Sequence, residues 1–113
     1  MIAVSREQFE ALVAAALDSI PAELARHIDN VAVFVVDRSR YPGLLGLYEG
    51  IPLTGRGTSY AGAMPDRITL YREAICARSD TEDELVEAIR RTVVHEIAHH
   101  FGISDARLRA LGY

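Results

Sequence analysis

Lysine is missing from this chain. All 12 basic residues are arginine, set against 16 aspartates and glutamates, and the formal net charge is −4. The all-arginine usage reads as a base-composition bias of the source genome. An acid excess without a basic cluster argues against nucleic-acid binding, whose affinity rests mainly on phosphate neutralisation. Cysteine is nearly missing too: Cys76 stands alone, so no internal disulfide can form, and a buried apolar role is expected for it. No apolar run approaches the roughly 20 residues of a membrane span, and Met1 to Phe9 lack a basic segment followed by an apolar core. Neither a transmembrane helix nor a signal peptide is expected, and a cytoplasmic protein is the default. No repeat, low-complexity run or linker interrupts the 113 residues, of which 50% are hydrophobic. That suits one domain, residues 1–113, with a core that needs no disulfide support.

What is present falls into helical and extended stretches. Ser5 and Gln8 form a capping-box signature, and Phe9, Leu12, Val13, Ala16, Leu17 and Ile20 recur at helical spacing, which predicts a helix from Ser5 to Ile20. Pro21 opens further helical turns towards Ile28. Val31 to Val36 is continuously apolar and β-branched, so a strand buried on both faces, central and the most buried in the sheet, is expected there. A polar loop with a Tyr-Pro-Gly turn leads to a second strand, Leu44 to Glu49. Residues 54–66, with three glycines and few large apolar side chains, read as a surface loop or a flap over a cleft. Ile68 to Glu73 alternates and predicts a third strand with Ile68 and Leu70 towards the core.

Thr81 and Glu84 form a second capping box, and three acidic residues sit where the helix dipole favours them. The stripe Glu87, Arg91, Val94, Ala98, Phe101 is charged at its start and apolar at its end. A helix that enters from the surface and finishes inside the domain is the expectation. A short last helix is expected over Ala106 to Leu111. The whole predicts an α+β fold, with the N-terminal helix and the long C-terminal helix packed on a small three- to four-stranded mixed sheet.

The long helix ends in His95-Glu96-Ile97-Ala98-His99-His100-Phe101-Gly102-Ile103-Ser104-Asp105. Residues four apart share a helix face, so His95 and His99 can reach one metal ion, while Glu96 stands beside it as a general base. Gly102 suits the left-handed conformation that ends a helix, letting the chain turn back. Asp105 is the first ligand-type side chain met after Ser104. Two imidazoles and one carboxylate leave a fourth position open, as in a catalytic zinc site. Apolar residues surround these groups in sequence, and buried histidines and a buried glutamate need partners that a metal supplies. His100, about 100° round the helix from His99, cannot easily share the ion and is expected beside a ligand or at the surface, while His27 is expected to be a surface or capping residue.

These residues match the pattern H-E-x-x-H-x-x-G-x-x-D of zincin-type metalloproteases whose third ligand is aspartate. With the Gly-Leu-Tyr-Glu-Gly and Pro-Asp-Arg-Ile segments, the chain from about residue 9 onward resembles a family of small bacterial predicted metallopeptidases with a minimal zincin fold. The resemblance implies zinc-dependent peptide-bond hydrolysis, one Zn2+ per chain held by His95, His99 and Asp105, Glu96 as catalytic base, and a peptide or protein substrate. It also implies an edge strand beside the helix that pairs with extended substrate, for which Ile68 to Glu73 is the candidate. Tyr60 and Tyr71 are candidate oxyanion stabilisers, and spacing selects neither. No methionine follows Asp105, so a methionine turn is not expected. Two rivals remain. One is a non-catalytic, metal-stabilised peptide-binding module. The other is a metal-dependent hydrolase resembling bacterial endoribonucleases with H-x-x-x-H-x-x-x-x-x-H, in which aspartate would replace the last histidine; Glu96 favours the peptidase.

Overall fold

The computed structural model describes residues 1–50 and 65–113. Among these it has five helices and three strands: α1 (Arg6–Asp18), α2 (Ala22–Ala25), β1 (Val31–Val36), β2 (Gly46–Glu49), β3 (Asp66–Tyr71), α3 (Arg72–Cys76), α4 (Glu82–Phe101) and α5 (Asp105–Ala110). The fold is α+β, as expected. Most of the expected loop 54–66, with Tyr60 and Met64, lies outside the described residues. No helix among the described residues is long and apolar enough to cross a membrane.

Side-chain caps fix the helix starts. The Ser5 hydroxyl accepts from the Gln8 amide at 3.1 Å, and α1 buries Phe9, Val13 and Ala16. Thr81 Oγ1 accepts from the Glu84 amide at 3.1 Å, and the Glu84 carboxylate accepts from the Asp80 amide at 2.8 Å. One donor that the first turn leaves unpaired, and the amide just before the cap, are thus satisfied. Gly102 ends α4 in the left-handed region at φ 69°, and the Ile103 amide reaches back to the Ala98 carbonyl at 2.9 Å. Ser104 then caps α5 through the Arg107 amide.

The sheet order is β1-β3-β2, with β1 parallel and β2 antiparallel to β3. The central, most buried strand is therefore β3 and not Val31–Val36. Ile68 and Leu70 have no exposure and Thr69 is 9% exposed, whereas β1 leaves Phe34 51% and Val36 40% exposed. Register explains the exchange. Thr69 lies between Phe34 of β1 and Leu47 of β2, and these larger neighbours cover it. The apolar run in β1 reports a parallel partner, not a central place. Arg72 and Glu73, expected to end the third strand, instead begin α3.

Helix α4 lies across β2 and β3 with α1 beside it. The core between them holds Phe9, Leu24, Ile68, Leu70, Leu85, Ile89, Val93 and Ile97, all without exposure. The buried stripe of α4 thus starts at Leu85. The helix does not finish inside: Phe101 is 44% exposed, and His99 and His100 are exposed. The Arg6 guanidinium donates to the Val35 carbonyl at 3.0 Å and to Asp37 at 3.1 Å, tying α1 to the outer edge of β1. Cys76 is buried, and burial raises its thiol pKa, in keeping with an apolar role.

Candidate metal and catalytic site

The last two turns of α4 carry His95, Glu96 and His99, and β2 runs beside them in the same direction. A Cβ built on Gly46 would meet Thr92, the Tyr48 amide meets Glu96, and a Cβ built on Gly50 would meet His100. The Tyr48 N–H donates to Glu96 Oε1 at 3.0 Å. The Tyr48 ring stacks on His100 with centroids 3.9 Å apart, and its hydroxyl donates to Asp66 Oδ2 at 2.8 Å. Tyr48 thus fastens the edge strand to the site helix through both backbone and side chain. His100 Nε2 also lies 3.9 Å from Asp66 Oδ2, and His27 stacks on Phe101 at 4.5 Å. Neither His27 nor His100 stands with His95.

The rings of His95 and His99 come together on one helix face, 6.2 Å apart and inclined at 63°. Two imidazoles on one tetrahedral ion, each about 2.1 Å from it, would hold their centres about 5 Å apart. Rotation about the side-chain torsions could cover the difference of roughly 1 Å. His95 and Glu96 are half-buried, while His99 and Asp105 are exposed. Burial therefore does not force a metal partner on all these groups, contrary to the expectation from their apolar neighbours. Asp105 heads α5, and among the described residues no three His, Cys, Asp or Glu side chains gather closely enough to hold a metal. The described geometry brings together two imidazoles that suit zinc, with Glu96 beside them, and does not bring Asp105 into that group.

A groove of about 470 Å³ opens at His95 and Glu96 and runs between α4 and the chain leading into β2. Leu44, Leu45 and Ala88 form its apolar wall. Sequence reasoning missed Tyr48 and Gly46, although both stand in the Gly-Leu-Tyr-Glu-Gly segment. No side-chain pattern announces a role for a backbone N–H.

Residues 23–113 match the model of a family described as zincin-like metallopeptidase. The chain belongs to that family. A solved structure of a conserved hypothetical protein from T. thermophilus is similar to it at 24% identity, covering 87% of this chain and 94% of that one with a TM-score of 0.56. At this identity the likeness speaks for the fold alone. No curated protein matches the chain. Among the described residues of this zincin-like chain the edge strand beside the site helix is β2; Ile68 to Glu73, expected in that place, supplies the central strand. Tyr71 lines a hollow with Val36, Leu47 and Thr69 on the sheet face turned away from α4, so it is not placed to stabilise an oxyanion beside Glu96. Tyr60 lies outside the described residues.

Proposed function

We propose that this zincin-like chain is a zinc-dependent peptidase in which Glu96 is the general base, His95 and His99 are two metal ligands and Asp105 is the third. The observation that carries this reading is the seat of Glu96. One carboxylate oxygen is held by the Tyr48 amide of the edge strand, beside two imidazoles and at the mouth of a groove. When bound, zinc supplies Lewis acidity, which polarises a carbonyl and lets water ionise near pH 7.

The chain's own part is positional and protonic. The Tyr48 amide occupies Oε1 of Glu96 and fixes the plane of the carboxylate. The other oxygen accepts a proton from the water that attacks the scissile carbonyl, and returns it to the leaving amine. A peptide or protein substrate lies in the groove, which accepts side chains next to the reacting bond.

A second reading is peptide binding without turnover, and the exposure of His99 and Asp105 favours it. The deciding experiment sets the zinc-loaded wild type against Glu96→Gln on a diverse peptide library. Glutamine keeps the size and the bond from Tyr48 but is a far weaker base. Hydrolysis should fall by at least about 10²-fold, with zinc content and thermal unfolding unchanged. A variant that keeps most of its activity refutes the general-base role. A wild type that cleaves nothing, with peptide binding equal in both proteins, assigns the binding module instead.

A further inference from the structure

The groove beside Glu96 has a chemical polarity that the zincin-like reading does not use. At one end stand His95 and Glu96. At the other, two guanidinium groups, Arg78 and Arg91, line the same space, and Leu44, Leu45 and Ala88 give that end its apolar lining. Among the described residues, Glu96 is the only acid that lines it. Arg78 is exposed and has no ion-pair partner among the described residues. Arg91 donates through Nε to Glu87 at 2.9 Å, which leaves its two terminal nitrogens for another acceptor. Asp83, Glu84 and Glu87 line a neighbouring hollow that shares Arg78, Ala88 and Arg91 with the groove. Glu87 is occupied by Arg90 and Arg91, and Glu84 holds the Asp80 amide. None of these three acids is among the residues that line the groove.

We propose that this groove is a specificity subsite for a carboxylate, and that the preferred substrate is a peptide bearing one close to the scissile bond, read by Arg78 and Arg91. The placing of the scissile bond rests on the proposed role of Glu96. Arg91 precedes His95 by one helical turn, about 5–6 Å along the axis. An extended peptide advances about 3.3 Å per residue. The carboxylate therefore belongs one or two residues from the reacting bond, with its apolar stem against Leu44, Leu45 and Ala88. Planar guanidinium forks match a carboxylate with two parallel hydrogen bonds. The carboxylate comes either from a glutamate or aspartate side chain or from a free C-terminus.

Binding tests the subsite without requiring turnover. Fluorescent peptides of one backbone sequence carry Glu or Gln at each position in turn, and end in a free acid or an amide. Their affinities are read by anisotropy on the zinc-loaded Glu96→Gln protein, alone and with Arg78→Gln and Arg91→Gln added. The carboxylate form should bind at least about tenfold tighter, the lower end for a hydrogen bond to a charged group. The preference should vanish when both arginines are replaced, and return in part with Arg78→Lys and Arg91→Lys, which keep the charge and lose the fork. A gain at an internal Glu identifies a side-chain reader, and a gain only in the free acid identifies a C-terminal one. Equal affinity of acid and neutral peptides, no binding of either, or a preference that survives both glutamine substitutions overturns the proposal. Cleavage by the Glu96 protein is scored separately. Hydrolysis without acid preference sinks the subsite alone, and acid preference without hydrolysis sinks the peptidase alone.

Discussion

Replacing Gly46 by alanine tests whether the edge strand must lie this close to the site helix. A Cβ built there would stand 2.8 Å from the Thr92 γ-methyl and 3.2 Å from the Thr69 carbonyl oxygen, where ordinary contact begins at 3.4 Å. The methyl would have to move 0.6 Å, the difference between 3.4 and 2.8 Å. It cannot swing aside freely, because Thr92 is buried and its hydroxyl donates to the Ala88 carbonyl at 2.7 Å. Overpacking of this kind costs about 1–3 kcal/mol, and loss of glycine's freedom in the unfolded chain returns about 0.4–1 kcal/mol, so the middle of the two ranges gives a net loss of about 1.3 kcal/mol. Urea unfolding measures it. Thr92→Ser removes the methyl and keeps the hydroxyl, so it should rescue Gly46→Ala with a coupling of at least about 0.5 kcal/mol in a double-mutant cycle. The same displacement lengthens the bond from Tyr48 to Glu96, so peptide turnover should fall in the single variant and recover in the double. A Gly46→Ala protein as stable as wild type, or strictly additive effects, would refute the close-approach reasoning.

Elemental analysis after expression with zinc should find about one equivalent per chain for a three-ligand site. His99→Ala and Asp105→Ala should each weaken zinc binding by more than about tenfold; unchanged affinity in either removes that residue from the ligand set. The pKa of Asp37 is lowered chiefly by the hydrogen bond from Arg72, then by the charges of Arg72 and Arg6. A carboxyl depressed in the folded state stabilises it above its unfolded value, about pH 4, and that contribution is lost as pH falls through the folded value. Asp37→Asn should therefore flatten the fall of the urea midpoint below about pH 4, and an unchanged acid slope would show that Asp37 does not contribute to it.

Helix ends were legible because a cap is a local device. Ser5, Thr81 and Gly102 each act within a few residues, and each sits in the structure where its chemistry put it. Strand order was not legible, because burial of a strand depends on what lies beside it. Val31–Val36 is apolar throughout and yet forms an edge that exposes Phe34, while Thr69, a polar residue in an alternating segment, is covered by neighbours from two other strands. The H-E-x-x-H spacing correctly put His95 and His99 on one face. Asp105 follows a turn at Gly102, and spacing along the chain carries no information about the direction in which that turn sends it. The groove arginines were hidden for the same reason: Arg78 stands in the turn after α3 and Arg91 on α4, and they line one groove only through the packing of α4 against the segment before it.

The exchange of strand order has a chemical consequence. A helix fixes the Cα of Glu96, but its carboxylate, with three torsions beyond that, needs a second anchor to stay aimed. An edge strand can supply one because every other amide points away from the sheet. Just before β2 the Leu45 carbonyl accepts from the Tyr71 amide of β3, so Tyr48, three residues on, directs its N–H outward, to Glu96. A central strand has no such amide to give. Placing Asp66–Tyr71 in the middle and Gly46–Glu49 at the edge is thus what allows the backbone to hold the Glu96 carboxylate. The distance needed for that bond is kept by a residue with no side chain at Gly46, two positions earlier on the same side of the strand. The two carboxylate oxygens of Glu96 are thereby made inequivalent: Oε1 is spent on position, and the other is the one to which the proposed mechanism assigns the proton.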